Sequence, residues 1–134
     1  MRPQARFRSV QLERAIDAAP AGVVISGPPR GDALMLYVNP AFCEMTGYSR
    51  AELLGRNCRL LQGADREQPE VERIRAAIAA GQPTHVVLRN YRKDGTHFWN
   101  SLTLAPIQTG PDVTHYVGIQ MDVTAELAAR AELT

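Results

Sequence analysis

The stretch "GRNCRLLQG", residues 55–63, sets one thiol, Cys58, between the amide of Asn57 and the guanidinium of Arg59, with a second amide, Gln62, one turn further on. A nucleophilic cysteine wants a histidine or lysine nearby to lower its pKa, and a zinc ligand wants further cysteines at short spacing. Cys58 has neither in its segment, and the other cysteine, Cys43, lies fifteen positions away, in no redox or metal spacing. No base adjoins Cys58 for a cysteine hydrolase and no resolving thiol for a redox enzyme. Cys43, within "NPAFCEMTG", reads as a small core residue.

Three carboxamides form a second constellation. Side chains alternate across a strand, so Asn90 shares a face with Val86 and Leu88, Asn100 with Phe98, Leu102 and Leu104, and Gln120 with Gly118 and Tyr116. Each unsatisfied buried amide costs about 1–3 kcal/mol. They bond to neighbouring backbone or water, or they face a planar heterocycle offering both donors and acceptors. Gly118, a glycine inside a strand, marks close approach of a ligand or another backbone. Arg59 and Arg75, on successive helical segments, could reach one anionic group at a pocket mouth; singly, each reads as a solvated arginine. His85, His97 and His115 fall on the opposite parity, which argues against a haem or metal site, and Trp99 reads as a sheet-surface residue.

These side chains need a scaffold of two strands, several helices, then three strands. "AGVVIS" and "LMLYVN" are β-rich runs separated by the Pro- and Gly-punctuated "GPPRGDA". Asn39 is a cap with Pro40 at the first helical position and Gly47 as the stop; "SRAELLG" offers a capping box, Ser49 with Glu52. Asn57 caps the short cysteine helix, and "PEVERIRAAIAAG" makes a longer one burying Val71, Ile74 and Ile78. Strands follow at 84–92, 96–105 and 114–121. At "KDG" a two-residue turn would throw the two apolar faces to opposite sides, whereas a three-residue loop with Gly95 left-handed sets Asn90 opposite Phe98. The second register is expected.

With 134 residues, one domain and one core are expected. The expected division is an N-terminal helical extension, residues 1–19, a core, 20–121, and a C-terminal helical extension, 122–134. A net charge of +1 with signs interspersed offers no footprint for nucleic acid or an anionic membrane. No run approaches the ~20 apolar residues of a membrane span, and a cytoplasmic location with free thiols is expected.

"GRNCRLLQG", "RNYRKDGTHFWN" and "YVGIQMDVT" resemble the signature segments of light-oxygen-voltage (LOV) domains, the flavin-binding members of the PAS superfamily. The resemblance covers residues 20–124 and implies an α+β PAS fold: a five-stranded antiparallel sheet with helices on one face and helical extensions at both ends. It implies FMN as cofactor, with Cys58 as the photoreactive thiol, Asn57 and Gln62 on the ribityl chain and ring, and Arg59 and Arg75 on the phosphate. Asn90 and Asn100 would hold the pyrimidine edge, Gly118 would allow close approach, and Gln120 would face N5 and O4. Blue light would drive a reversible cysteinyl adduct at flavin C4a, without turnover of a substrate. One departure is Leu60, where the family usually has Phe; the swap puts adduct lifetime and local packing in question. After Asp122 and Thr124, which resemble the family's exit, only "AELAARAELT" remains. A short photoreceptor without fused effector is therefore expected, acting as a homodimer through its terminal helices on an unknown protein partner. The alternatives are a sensor fragment of a longer light-regulated kinase or cyclase, and a PAS module for another ligand.

Overall fold

The computed structural model describes residues 3–133; residues 1, 2 and 134, which the division above assigns to the terminal extensions, lie outside the described residues. The chain runs through α1 (Pro3–Ala18), β1 (Gly22–Ser26), β2 (Met35–Val38), α2 (Pro40–Thr46), α3 (Arg50–Leu53), a 3-10 turn (Cys58–Gln62) and α4 (Pro69–Ala80), then β3 (Thr84–Tyr91), β4 (His97–Thr109), β5 (Asp112–Asp122) and α5 (Thr124–Glu132). The five strands form one antiparallel sheet in the order β2-β1-β5-β4-β3. This is the expected α+β architecture.

Local chemistry sets the boundaries of the middle helices. The Asn39 side chain accepts from the Phe42 amide, Pro40 opens α2 and Gly47 closes it at φ 78°. Ser49 and Glu52 form the reciprocal capping box of α3. Asn57 accepts from the Arg59 amide and so caps the cysteine turn. The β3–β4 hairpin has the expected register, Asn90 opposite Phe98, with Gly95 at φ 88°.

Two expectations were short. The last two strands extend to Thr109 and from Asp112, beyond the expected 96–105 and 114–121. Pro106 marks the difference: β3 pairing ends at Thr84–Leu104, so past that point β4 bonds only to β5, and the missing N–H of proline falls on an open edge. Within the N-terminal helical extension expected over 1–19, the helix runs Pro3–Ala18. Its C-terminal end is tied to the domain by Asn39, fully buried, whose Nδ2 donates to the carbonyls of Ile16 (2.8 Å) and Ala21 (3.0 Å) while Oδ1 accepts from Val23 (2.8 Å) and Phe42 (3.1 Å). Every hydrogen-bonding site of that side chain is used.

One apolar cluster, Val24, Met35, Val38, Phe42, Leu53 and Leu61, lies between β1–β2 and the short helices, with Cys43, Cys58 and Leu60 packed against it. A second, Val71, Val86 and Leu88 with Ile74 and Leu102, joins α4 to the other half of the sheet. The outer sheet face is open: Ile107, Ile119 and Met121 are exposed, as are His85 and His97, with Trp99 and His115 half-buried there. No helix among the described residues is long and apolar enough to cross a membrane.

Candidate functional site

A cavity of about 220 Å³ lies between the two clusters, bounded by the inner sheet face, the cysteine turn and α4. Its walls include Cys58, Asn57, Arg59, Gln62, Arg75, Asn90, Gly118 and Gln120. Eight of the nine residues singled out from the sequence are thus brought together. Asn100 is not on the wall: it stands behind it, donating from Nδ2 to Asn90 Oδ1 (2.9 Å) and Gln120 Oε1 (2.7 Å).

Alternation produces this arrangement. Leu88 pairs with Asn100 and Leu102 with Gln120, so the three amides sit on neighbouring strands of one face, in contact. The amides therefore answer part of their own hydrogen-bonding demand, with Asn90 Nδ2 also donating to the Arg89 carbonyl at 3.0 Å. Demand remains. Asn100 Oδ1 is buried with no partner, and the Gln120 Nε2 and the Gln62 amide donate to nothing among the described residues. An unmet acceptor behind the wall and unmet donors on it match the mixed pattern of a heterocycle edge. Gly118 keeps the space clear: a Cβ there would come to 3.4 Å of Gln120 Nε2 and 3.5 Å of Leu102.

Opposite the amides, Cys58 opens the 3-10 turn and faces the cavity, half-buried by surface but enclosed by the chain around it. Burial pushes its thiol up to about 12, and no neighbouring charge pulls it down. A thiolate nucleophile at neutral pH is excluded by that environment. Cys43, half-buried against the first cluster, is raised by burial against the opposing pull of Arg50.

The mouth carries the arginines. Arg59 Nη2 lies 3.0 Å from Asp32 Oδ1, and Arg75 Nη1 lies 2.6 Å from Glu72 Oε1. Both line the cavity, yet neither is unpaired. Asp32 was absent from the sequence reading, as were the apolar wall residue Leu61 and the β1–β2 contributions Ser26 and Ala33, whereas Leu102 and Leu104 lie on the wall as their shared face with Asn100 implied. Asp32 and Ala33 hold φ 67° and 48°, a left-handed excursion that directs the β1–β2 loop over the cysteine turn. The Asp32 carbonyl accepts from Asn57 Nδ2 at 2.7 Å. Proline and glycine in that loop announce a turn but not its landing place.

The residues present fit a planar polar heterocycle bearing an anionic tail: apolar walls, amides on one edge, two arginines and an enclosed thiol whose burial raises its pKa. No cluster of three potential metal ligands occurs among the described residues.

A family model for the PAS domain matches residues 20–125. The blue-light photoreceptor of Listeria monocytogenes is 43% identical over 120 residues, an alignment covering 90% of this chain and 47% of that protein. The chain thus spans about half the length of that relative. The LOV domain of the Erythrobacter litoralis EL346 blue-light activated histidine kinase is 40% identical with a TM-score of 0.73, covering 79% of this chain and 98% of that one. A solved structure of an RNA-binding light-oxygen-voltage receptor is 41% identical with a TM-score of 0.87, over 98% of this chain and 37% of the other. A PAS model matched across the body of the chain, together with a LOV domain matched over almost its full length, means that the chain belongs to the PAS domain family, within its light-oxygen-voltage group.

Proposed function

We propose that the chain is a blue-light sensor that holds FMN in the cavity and uses Cys58 as its photoreactive thiol, without turning over a substrate. The observation that carries the reading is an enclosed thiol facing a wall of amides across one cavity, in a setting whose burial raises the thiol's pKa. A bound flavin supplies blue-light absorption and, when excited, an electrophilic ring carbon for reversible addition of a sulfur. The chain's part is to hold the proton on Cys58 until then, and burial does this without a base. Asn90 and Gln120 would orient the ring edge, with Asn100 bracing both and offering its unmet Oδ1. Asn57 and Gln62 would meet the ribityl chain and ring, Gly118 would admit the ring to the sheet, and Arg59 and Arg75 would hold the phosphate.

The division into a core at 20–121 and extensions at 1–19 and 122–134 belongs to the same reading, in which the sensor works as a homodimer through its ends in the cytoplasm. A protein partner is preferred to nucleic acid because charge is near neutral and interspersed. A purified preparation should be yellow, lose its blue absorbance under blue light and regain it in darkness. A colourless protein that takes up no added flavin would sink the reading.

A further inference from the structure

Each arginine at the cavity mouth carries its own carboxylate. Asp32 reaches Arg59 through both oxygens, Oδ1 at 3.0 Å and Oδ2 at 3.2 Å, and Glu72 grips Arg75 at 2.6 Å, one turn back on α4. The carboxylates come from different elements, so the pairing is not one accident of helix spacing. The charges at the mouth cancel, and an incoming phosphate must displace or share a partner at both positions. An uncharged tail meets no such competition. Asp32 is held in place independently of its charge, because its carbonyl also accepts from Asn57 at 2.7 Å.

We propose that Asp32 and Glu72 are specificity-determining residues that suppress the site's preference for a phosphorylated over an unphosphorylated ligand tail, so that this chain accepts riboflavin nearly as well as FMN. This rests on the flavin reading above. Asp32→Asn keeps the left-handed backbone, since asparagine tolerates positive φ, and keeps the carbonyl contact to Asn57 while removing the charge. Glu72→Gln changes one exposed helix position.

The test is titration of flavin-free protein with FMN and with riboflavin, each read by flavin fluorescence, for the wild type, Asp32→Asn and Glu72→Gln. Wild type should bind the two flavins within about tenfold of each other. Each variant should raise the FMN-to-riboflavin affinity ratio by roughly two- to fivefold, the reach of one charge at a solvent-exposed site, with riboflavin affinity nearly unchanged. The gain should shrink as salt is raised from roughly 0.05 to roughly 0.5 M, because the Debye length shortens and exposed charges are screened. Two flavins that both bind, with a ratio unmoved in the Asp32 and Glu72 variants, would overturn this inference alone. Absence of binding by either flavin to the wild type would overturn the flavin reading and this inference with it.

Discussion

With its thiol pushed up to about 12 by burial, Cys58 stays protonated through the physiological range. The folded value lies above the unfolded one, so this group's contribution to stability is complete below about 9 and is lost as pH rises toward 12. In a Cys43→Ser background, alkylation of Cys58 by iodoacetamide at pH 8 should run more than about a hundredfold slower than that of an unperturbed thiol; a rate near the free value would contradict an enclosed thiol. Cys58→Ala should remain flavin-loaded and fluorescent while losing reversible bleaching, and Cys43→Ala should keep it. Retention of the same photocycle in the Cys58 variant would reassign the reactive residue. Arg75→Ala should weaken FMN more than riboflavin, because it removes a phosphate partner, leaves the ring contacts intact and leaves Glu72 unpaired at the mouth. With Arg75 64% exposed the loss falls toward the surface value of up to about 1 kcal/mol, roughly fivefold, rather than that of a buried contact. Equal losses for both flavins would remove Arg75 from phosphate binding. Leu60, where the resemblance leads one to expect Phe, packs against the first apolar cluster beside Cys58 and is absent from the cavity wall.

At the scale of elements, β5 joins the cavity to the C-terminal helix. Gln120 sits on the wall, and two residues later Asp122 leaves the strand, pairing with Arg92 at 2.6 Å and accepting from the Thr124 amide at 3.0 Å. Arg92 in turn donates to the Met45 carbonyl at the end of α2 and to His97 O in the hairpin. Burial raises the Asp122 carboxyl, but hydrogen bonds from Thr124 and the Arg92 guanidinium outweigh it and hold the group below the usual carboxylate range. Its stabilising contribution is therefore present above the ordinary aspartate value near pH ~4 and is lost as pH falls through the depressed folded value. Protection factors at the start of α5, taken relative to the intrinsic exchange rate at each pH, should fall at acid pH in wild type and already be low at neutral pH in Asp122→Asn; protection identical in both would show that this pair does not anchor the helix. A change at the flavin edge would reach the same element through Gln120, whose amide can present either oxygen or nitrogen. Gln120→Leu should keep adduct formation while blunting any light-induced change in exchange at the termini, and an unaltered response would rule out this route. The three-residue hairpin and the caps were legible because they depend on residues a few positions apart. The extension of β4 past Pro106 was not, because it depends on where β3 ends.

For the whole molecule, a helix stands at each end of the described chain and one sheet face is open. Val10 and Leu12 on α1 are exposed, α5 buries none of its residues fully, and Ile107, Ile119 and Met121 lie uncovered on the sheet. At nine residues α5 is shorter than the ~12–15 at which an isolated helix becomes marginal in water, so its stability depends on what it packs against. A homodimer through these ends would supply that packing. Light scattering across a concentration series, dark and illuminated, should give a dimer whose affinity or hydrodynamic size changes with light; a monomer under both conditions at all concentrations would discard the dimer.

Strand alternation, capping and turn chemistry are local, and they were enough to place the five strands, the hairpin register, the Gly47 stop of α2 and the common face of Asn90, Asn100 and Gln120. They also kept the three histidines off that face. Tertiary structure decided the rest. The order β2-β1-β5-β4-β3 sets β5 between the β1–β2 and β3–β4 pairs, and so brings Gln120 against amides that the sequence holds twenty and thirty positions away. Packing depth put Asn100 behind the wall and Asn90 on it, a distinction that parity cannot make because both point inward. The β1–β2 loop delivered Asp32 to Arg59 across 27 residues of chain. Periodicity says which way a side chain points; only the folded chain says what it meets there.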